Sequence, residues 1–277
     1  MDNFSVDAYT PKEIAARIEK AGVSKSLSDP IRVMALSILA GAFIALGAVF
    51  FTVVTYDSGH IAAGLMRLLG GLVFCLGLIL VVVAGAELFT GNNLIVMAYV
   101  DGKVSFCQLM KNWLIVYTGN FIGALGILLL IYLSNHWLIA DGAVGAKAIL
   151  IANAKVNLSW VEAFSRGILC NILVCLAIWL CFAGRSVVDK VVAIIFPITA
   201  FVAMGFEHSV ANMYFIPAGL VAMQQPDLVT MAGAGIDLTS LTMSGFLMHN
   251  LLPVTLGNIL GGSVFVALFY WFIYLRD

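Results

Sequence analysis

Charge is what this sequence has least of. Its 277 residues hold 14 Lys and Arg and 15 Asp and Glu, 10% of the chain, where an ordinary soluble domain carries roughly 25%. Ten of these charges fall within the first 32 residues, leaving 19 for the other 245. A soluble globular domain is excluded. A net charge of −1 leaves no basic stripe, and the aromatics lie inside apolar runs, so nucleic acid has no footprint to bind. The five cysteines form no CxxC pair, and Cys75, Cys170, Cys175 and Cys181 fall in apolar runs where a thiol acts as a small hydrophobe. Neither a disulfide framework nor a zinc site is indicated. HExxH, nucleophile-elbow, P-loop and paired-metal spacings are missing too, which argues against an enzyme and against a cofactor. The charged N-terminus precedes an apolar run too long for the h-region of a cleavable signal peptide.

What is there is apolar length: 62% of the residues are hydrophobic. Crossing a bilayer takes about 20 apolar residues, and six stretches qualify: Val33–Thr55, Gly64–Phe89, Phe106–Leu133, Trp160–Phe182, Val187–Met223 and Phe246–Leu275. The expected protein is an all-α integral membrane protein, with a segment 1–32 ahead of a six-helix domain over 33–277. The fifth stretch is too long for one straight crossing. The second continues as Leu94–Val100 beyond the polar Thr90-Gly91-Asn92-Asn93. Both therefore read as interrupted helices. If the ends alternate sides, ten of the fourteen basic residues collect on the face that holds both termini, which the positive-inside rule places in the cytoplasm. Residues 10–21 read as an amphipathic helix, with Thr10 as N-cap, Pro11 in the first turn and Glu13 three residues on. Its place is expected on the cytoplasmic membrane surface.

The two halves of the chain repeat each other. Gly85, Glu87 and Asn92 match Gly205, Glu207 and Asn212 in identical spacing, and Asn112, Val116, Gly119, Asn120 and Gly123 match Asn250, Val254, Gly257, Asn258 and Gly261. Three spans per copy, over about 33–134 and 160–275, force the copies to run in opposite directions. In such inverted repeats, interrupted helices meet near the midplane and line a permeation path. The glycines at 119, 123, 257 and 261 suit close helix contact.

His208 is the one histidine deep in a span, because His60, His136 and His249 fall in loops or at span ends. An ionisable group at that depth is a functional candidate, against the plainer reading of a neutral histidine bonded to freed backbone. Thr90, in the other break, offers a hydroxyl at similar depth that can face His208 or bond back to its own helix. Glu87 and Glu207 are open to a proton-relay or cation reading. Their twofold-related places beside the breaks favour structural service, accepting bonds from exposed backbone N–H groups, and the same holds for Asn92 and Asn212. Asn120, Asn171 and Asn258 present amides either to a pore or to neighbouring helices. Lys155, in the outer loop before the fourth span, can draw anions in or simply be solvated. Phe74, Leu78 and Phe201 read as packing residues.

Taken together, Gly85-Ala-Glu87-Leu-Phe-Thr90, Lys111-Asn112-Trp113 with Gly119-Asn120, Gly205-Phe-Glu207-His208-Ser-Val-Ala-Asn212-Met213 and Pro253-Val-Thr-Leu-Gly257-Asn258 resemble the signatures of the formate/nitrite transporter family, most closely its formate branch, from about Pro11 to the end of the chain. The resemblance implies an aquaporin-like protomer in a homopentamer, in the bacterial cytoplasmic membrane among lipid, with a pore in each protomer. It implies His208 as the central pore histidine with Thr90 as its partner, and Phe74, Leu78 and Phe201 as apolar constrictions. Asn171, Glu207 and Asn258 would stand around the pore, Lys155 in the outer vestibule, and a flexible loop from Gly91 to Gly102 would gate it. The implied activity is pH-dependent, bidirectional passage of formate. Nitrite or hydrosulfide channels of the same family are the alternatives, and an aquaporin-like pore for neutral solutes is a more distant one, since the paired Asn-Pro-Ala breaks are missing.

Overall fold

The computed structural model describes residues 8–57, 59, 61–233 and 235–276, and every regular element among them is helical. Residues 1–7 of the N-terminal segment, His60 and the C-terminal Asp277 lie outside the described residues.

Helix α1 (Pro11–Leu27) starts with the capping box that Thr10 and Glu13 foretell. It runs six residues past the expected end and does not lie free on a surface. Ile14, Ala15, Ile18 and Gly22 are buried, and a Cβ on Gly22 would stand 3.3 Å from the Ile95 Cα. The helix buries its apolar stripe on the protein because the interrupted second span offers an apolar face there. Then come α2 (Pro30–Thr55), α3 (Ala63–Ala84) and α4 (89–100, tightening to a 3-10 turn over Asn93–Ile95), followed by α5 (Phe106–Leu133). The second half holds α6 (Ala143–Val156), α7 (Trp160–Ala183), α8 (Val187–Ala203), α9 (Ser209–Ala222), a short α10 (Pro226–Ala232) and α11 (Gly245–Tyr274), which widens to π turns over Gly245–Leu251 and Ser263–Leu268. Ser105, Ser159 and Ser186 start α5, α7 and α8 with capping boxes.

Both interruptions form as the sequence implies and by the same device. Gly85 (φ +79°) ends α3 and Gly205 (φ +73°) follows α8, each in the left-handed region that only glycine enters without strain. The bonds that wrap the broken ends also match: Ala86 N–H to Val81 O and Phe206 N–H to Phe201 O. Two differences from expectation have local causes. The segment 134–159, read as a loop, contains α6, whose Ile149 and Ala152 are fully buried. The segment from Gly91 to Gly102, implied to be a flexible loop, is helical to Val100, because Leu94, Ile95, Met97 and Ala98 are buried. The irregular part shrinks to the turn 101–105.

Close helix crossings hold each half together, α2 on α5 and α7 on α11. A Cβ on Gly123 would fall 1.9 Å from Ile38 O and one on Gly261 2.3 Å from Ile168 O. These positions exclude any side chain, so backbones meet directly. A polar tie joins α1, the turn after α4 and the end of α11. Lys103 Nζ contacts Glu19 (2.6 Å) and Asp101 (2.9 Å), and the Trp271 indole N–H donates to Asp101 (2.9 Å). The Trp271 bond and then the Lys103 bond hold the Asp101 carboxyl down at about 2, whereas burial pushes the Glu19 carboxyl up.

Candidate functional site

At each break, the backbone freed by the interruption and the carboxylate beside it are served by one pattern, used twice. Asn120 Oδ1 accepts from Phe89 N–H (2.9 Å), while its Nδ2 reaches Ser37 O and Glu87 O. In the other half Asn258 Oδ1 accepts from Ser209 N–H (2.9 Å), and its Nδ2 reaches Gly167 O and Glu207 O. Buried helix ends need such partners, because an unpaired amide in an apolar interior costs about 1–3 kcal/mol.

The carboxylates have other partners than expected. Glu87 pairs with Lys25 Nζ (2.7 Å) and Asn92 Nδ2 (2.8 Å). Glu207 pairs with Lys155 Nζ (2.8 Å), Asn212 Nδ2 (2.7 Å) and Asn250 Nδ2 (3.2 Å). Side-chain cations and amides, not backbone N–H groups, balance them, and the asparagines at 120 and 258 take the backbone duty. The lattice closes alike on both sides: Asn92 Nδ2 donates to Asn112 Oδ1 and Asn212 Nδ2 to Asn250 Oδ1, while the Asn112 and Asn250 amides donate to Lys25 O and Lys155 O. Lys155 therefore ends a helix and is 16% exposed, with its charge matched by Glu207. It is not a solvated loop lysine.

The halves diverge at the centre. His208 is the N-cap of α9: its Nδ1 accepts from Ala211 N–H at 3.0 Å, and its Nε2 meets Thr90 Oγ1 at 2.9 Å across the interface between the halves. Both side chains are almost completely buried, at 3% and 0% exposure. Asn171 reaches the same junction, its Nδ2 lying 2.7 Å from Asn258 O and 2.8 Å from Asn93 Oδ1.

Two vestibules approach this centre. One, of about 320 Å³, is lined by Arg17, Lys25, Glu87, Gly91, Asn92 and Leu88 among others. The second, of about 220 Å³, is lined by Lys155, Glu207, Asn212, Phe74, Phe201 and His208, with Phe51 and Phe215. Between them lies a cavity of about 10 Å³, bounded by Ile44, Phe74, Leu78, Leu88, Val174, Ile198, Phe201 and His208. That is room for about one water. Phe74 and Phe201 meet edge to face at 5.8 Å, and the Phe201 ring stacks on His208 at 6.0 Å. Phe74, Leu78, Phe201, His208 and Thr90, far apart in the chain, thus converge. Gly91, Asn92, Lys155 and Asn212 stand at the vestibules, with Asn171 and Asn258 behind the centre.

Three residues at this site were not singled out from the sequence. Lys25 is the counterpart of Lys155, visible had the repeat been followed upstream of the first span. Leu88 stands opposite His208 in the repeat and touches both the Lys25 vestibule and the central cavity. Phe215, with Lys155 Nζ 5.4 Å from its centroid and stacked on Phe74, had no sequence signal.

Comparison with known proteins agrees with this architecture. The formate/nitrite transporter family matches residues 12–272. The formate channel FocA of Escherichia coli K12 is 44% identical over 274 residues, covering 98% of this chain and 96% of its own, and a probable formate transporter of Methanothermobacter thermautotrophicus is 41% identical, covering 99% of both. A solved structure described as a pentameric formate channel with formate bound superposes with a TM-score of 0.83 at 42% identity, over 89% of this chain and 98% of that one. An FNT family ion channel superposes at 0.79 with 30% identity, over 94% and 98%. With its apolar helices and interrupted inverted repeat, this multi-pass membrane chain belongs to the formate/nitrite transporter family.

Proposed function

We propose that this protein passes formate across the cytoplasmic membrane, as a homopentamer with both termini in the cytoplasm and a pore in each protomer between the Lys25 and Lys155 vestibules. The observation that carries the reading is the His208–Thr90 contact, a polar pair set beside an apolar ring between two charged mouths. The likeness to formate channels in sequence and fold supports the substrate.

A small anion entering the ring of Phe74, Leu78, Leu88 and Phe201 loses most of its water, at a cost of several kcal/mol unless donors replace it or a proton neutralises it. Because Nδ1 of His208 accepts from Ala211 N–H, the ring proton sits on Nε2 and points to Thr90 Oγ1. The Thr90 hydroxyl hydrogen is then left to bind the passing carboxylate. A second ring proton has to go to Nδ1, where it confronts the Ala211 N–H. Protonation therefore competes with the first cap of α9, which ties acid pH to the geometry of the break and makes permeation pH-dependent. Glu87 and Glu207, each already matched by a lysine, leave no vacant carboxylate for a coupled cation.

The test is flux of formate, nitrite and hydrosulfide into liposomes holding the purified protein, at several pH values. The expected result is formate flux in both directions that changes with pH. Faster nitrite or hydrosulfide flux would reassign the substrate, and glycerol flux without anion flux would overturn the reading.

A further inference from the structure

The two vestibules are alike in their lysine–glutamate pair and unlike in everything else that is charged. In the Lys155 vestibule, Lys155 and Glu207 are the charged lining residues and cancel at 2.8 Å. The Lys25 vestibule has the corresponding pair at 2.7 Å and adds two further cations, Arg17 from α1 and Lys190 from α8. Neither has a carboxylate within ion-pair distance among the described residues. The nearby acids make their short bonds elsewhere: Glu13, whose charge acts on Arg17 only at longer range, to the N–H and hydroxyl of Thr10, and Asp189 to the N–H groups of Arg185 and Ser186. Arg17 is held in place, its Cζ 3.8 Å from the centroid of the Tyr9 ring. Much of the remaining lining is apolar, including Ile18, Val81, Leu94 and Ile178, and apolar walls focus the field of the two cations into the cavity.

We propose that this vestibule is a binding site for a small dianion, a dicarboxylate or hydrogen phosphate held between Arg17 and Lys190, and that its occupant shuts the pore mouth on that side. One negative charge balances one of the two free cations, so a monoanion such as formate is drawn in and released, whereas a dianion satisfies both. Arg17 offers the planar fork that suits carboxylate and phosphate oxygens, and Lys190 the point charge. The cavity of about 320 Å³ has space for a four-carbon chain, which the central cavity of about 10 Å³ does not admit. Leu88 lines both, so the vestibule that an occupant fills adjoins the constriction. The blocking half of the proposal rests on the pore reading above; the binding half does not.

Calorimetric titration of the purified protein at low ionic strength and pH 7 tests the site with succinate, inorganic phosphate and acetate. Succinate or phosphate is expected to bind at least tenfold more tightly than acetate, the ratio of the two identifying the preferred dianion. Arg17→Gln with Lys190→Gln should weaken that binding at least tenfold, and Arg17→Lys, which keeps the charge but loses the fork, should fall between that double variant and wild type. Thermal melting of each variant establishes that it is folded. Equal affinity for acetate and the dianions, or unchanged affinity in the folded double variant, overturns the site. In liposomes, succinate on the Lys25 face alone should reduce formate flux, and equal inhibition from either face overturns the block. Succinate binding by a protein that passes no formate would sink the pore reading and leave the site standing.

Discussion

Leu88 and His208 hold the same position in the two copies of the repeat, each directly before the second leg of an interrupted helix, and both line the central cavity. Leu88 makes no side-chain cap, whereas His208 caps α9 through Nδ1 and crosses to Thr90 through Nε2. A structurally symmetric scaffold thus carries a chemically one-sided centre. The lattice of Lys, Glu and Asn on both sides keeps the breaks in place, and one substitution within it supplies the titratable group.

The first prediction concerns that group. Asn is among the best N-cap residues, so His208→Asn should keep α9 capped at a cost below about 1 kcal/mol while removing the ring that reaches Thr90. Formate flux in liposomes should persist but lose its dependence on pH. His208→Phe removes cap and hydrogen bond together and should be close to inactive. Wild-type pH dependence in the folded Asn variant would return His208 to a structural role.

Exchanging Leu78 or Phe201 for Ala should open the ring. Both are buried, so stability falls by about 2–4 kcal/mol, yet conductance should rise or selectivity relax. A lower melting temperature with unchanged flux would make them packing residues only.

The ion pair between Lys155 and Glu207 gives a third test, because breaking a buried pair costs more than removing it. Lys155→Met should destabilise by about 2–3 kcal/mol, leaving Glu207 to Asn212 and Asn250 alone, and adding Glu207→Gln should recover at least half. Additive losses in thermal unfolding would show that the two charges act independently.

Gly123 and Gly126 share one helix and should answer oppositely. A Cβ at 123 lands 1.9 Å from Ile38 O, while one at 126 meets nothing within 4 Å. Gly123→Ala should cost about 2 kcal/mol or more by overpacking, and Gly126→Ala should gain up to about 1 kcal/mol of helix propensity. Melting temperatures in one detergent compare them.

The tie after α4 predicts a pH signature. Asp101 is held at about 2, below its usual value, so its contribution is fully present above about pH 4 and is lost only as the pH falls toward 2. With screening at this partly exposed group, Asp101→Asn should cost about 1 kcal/mol at pH 7, and the difference from wild type should persist at pH 5. Glu19 titrates in the opposite sense: burial raises its carboxyl, so the folded state gains as the pH falls from that raised value to the ordinary carboxylate value, and gains nothing more below it. A difference at Asp101 that vanishes by pH 5 would mean Trp271 and Lys103 do not hold its charge.

Whatever depends on neighbours along the chain could be read from the order of residues alone. Runs of apolar residues set the membrane helices, Gly85 and Gly205 with the polar residues after them set the two breaks, and Ser105, Ser159 and Ser186 set helix starts. The inverted repeat was legible because its duplication survives as residue spacing. Which groups meet was settled by packing across the fold. Thr90 and His208 are 118 positions apart, Lys25 and Glu87 are 62 apart, and Asn120 bonds backbone 31 to 83 positions away. No local propensity encodes such contacts. They arise because a buried carboxylate or freed helix end must find a partner wherever packing supplies one, and here packing supplied lysines from α1 and α6, two helices that composition alone had consigned to a membrane surface and a loop.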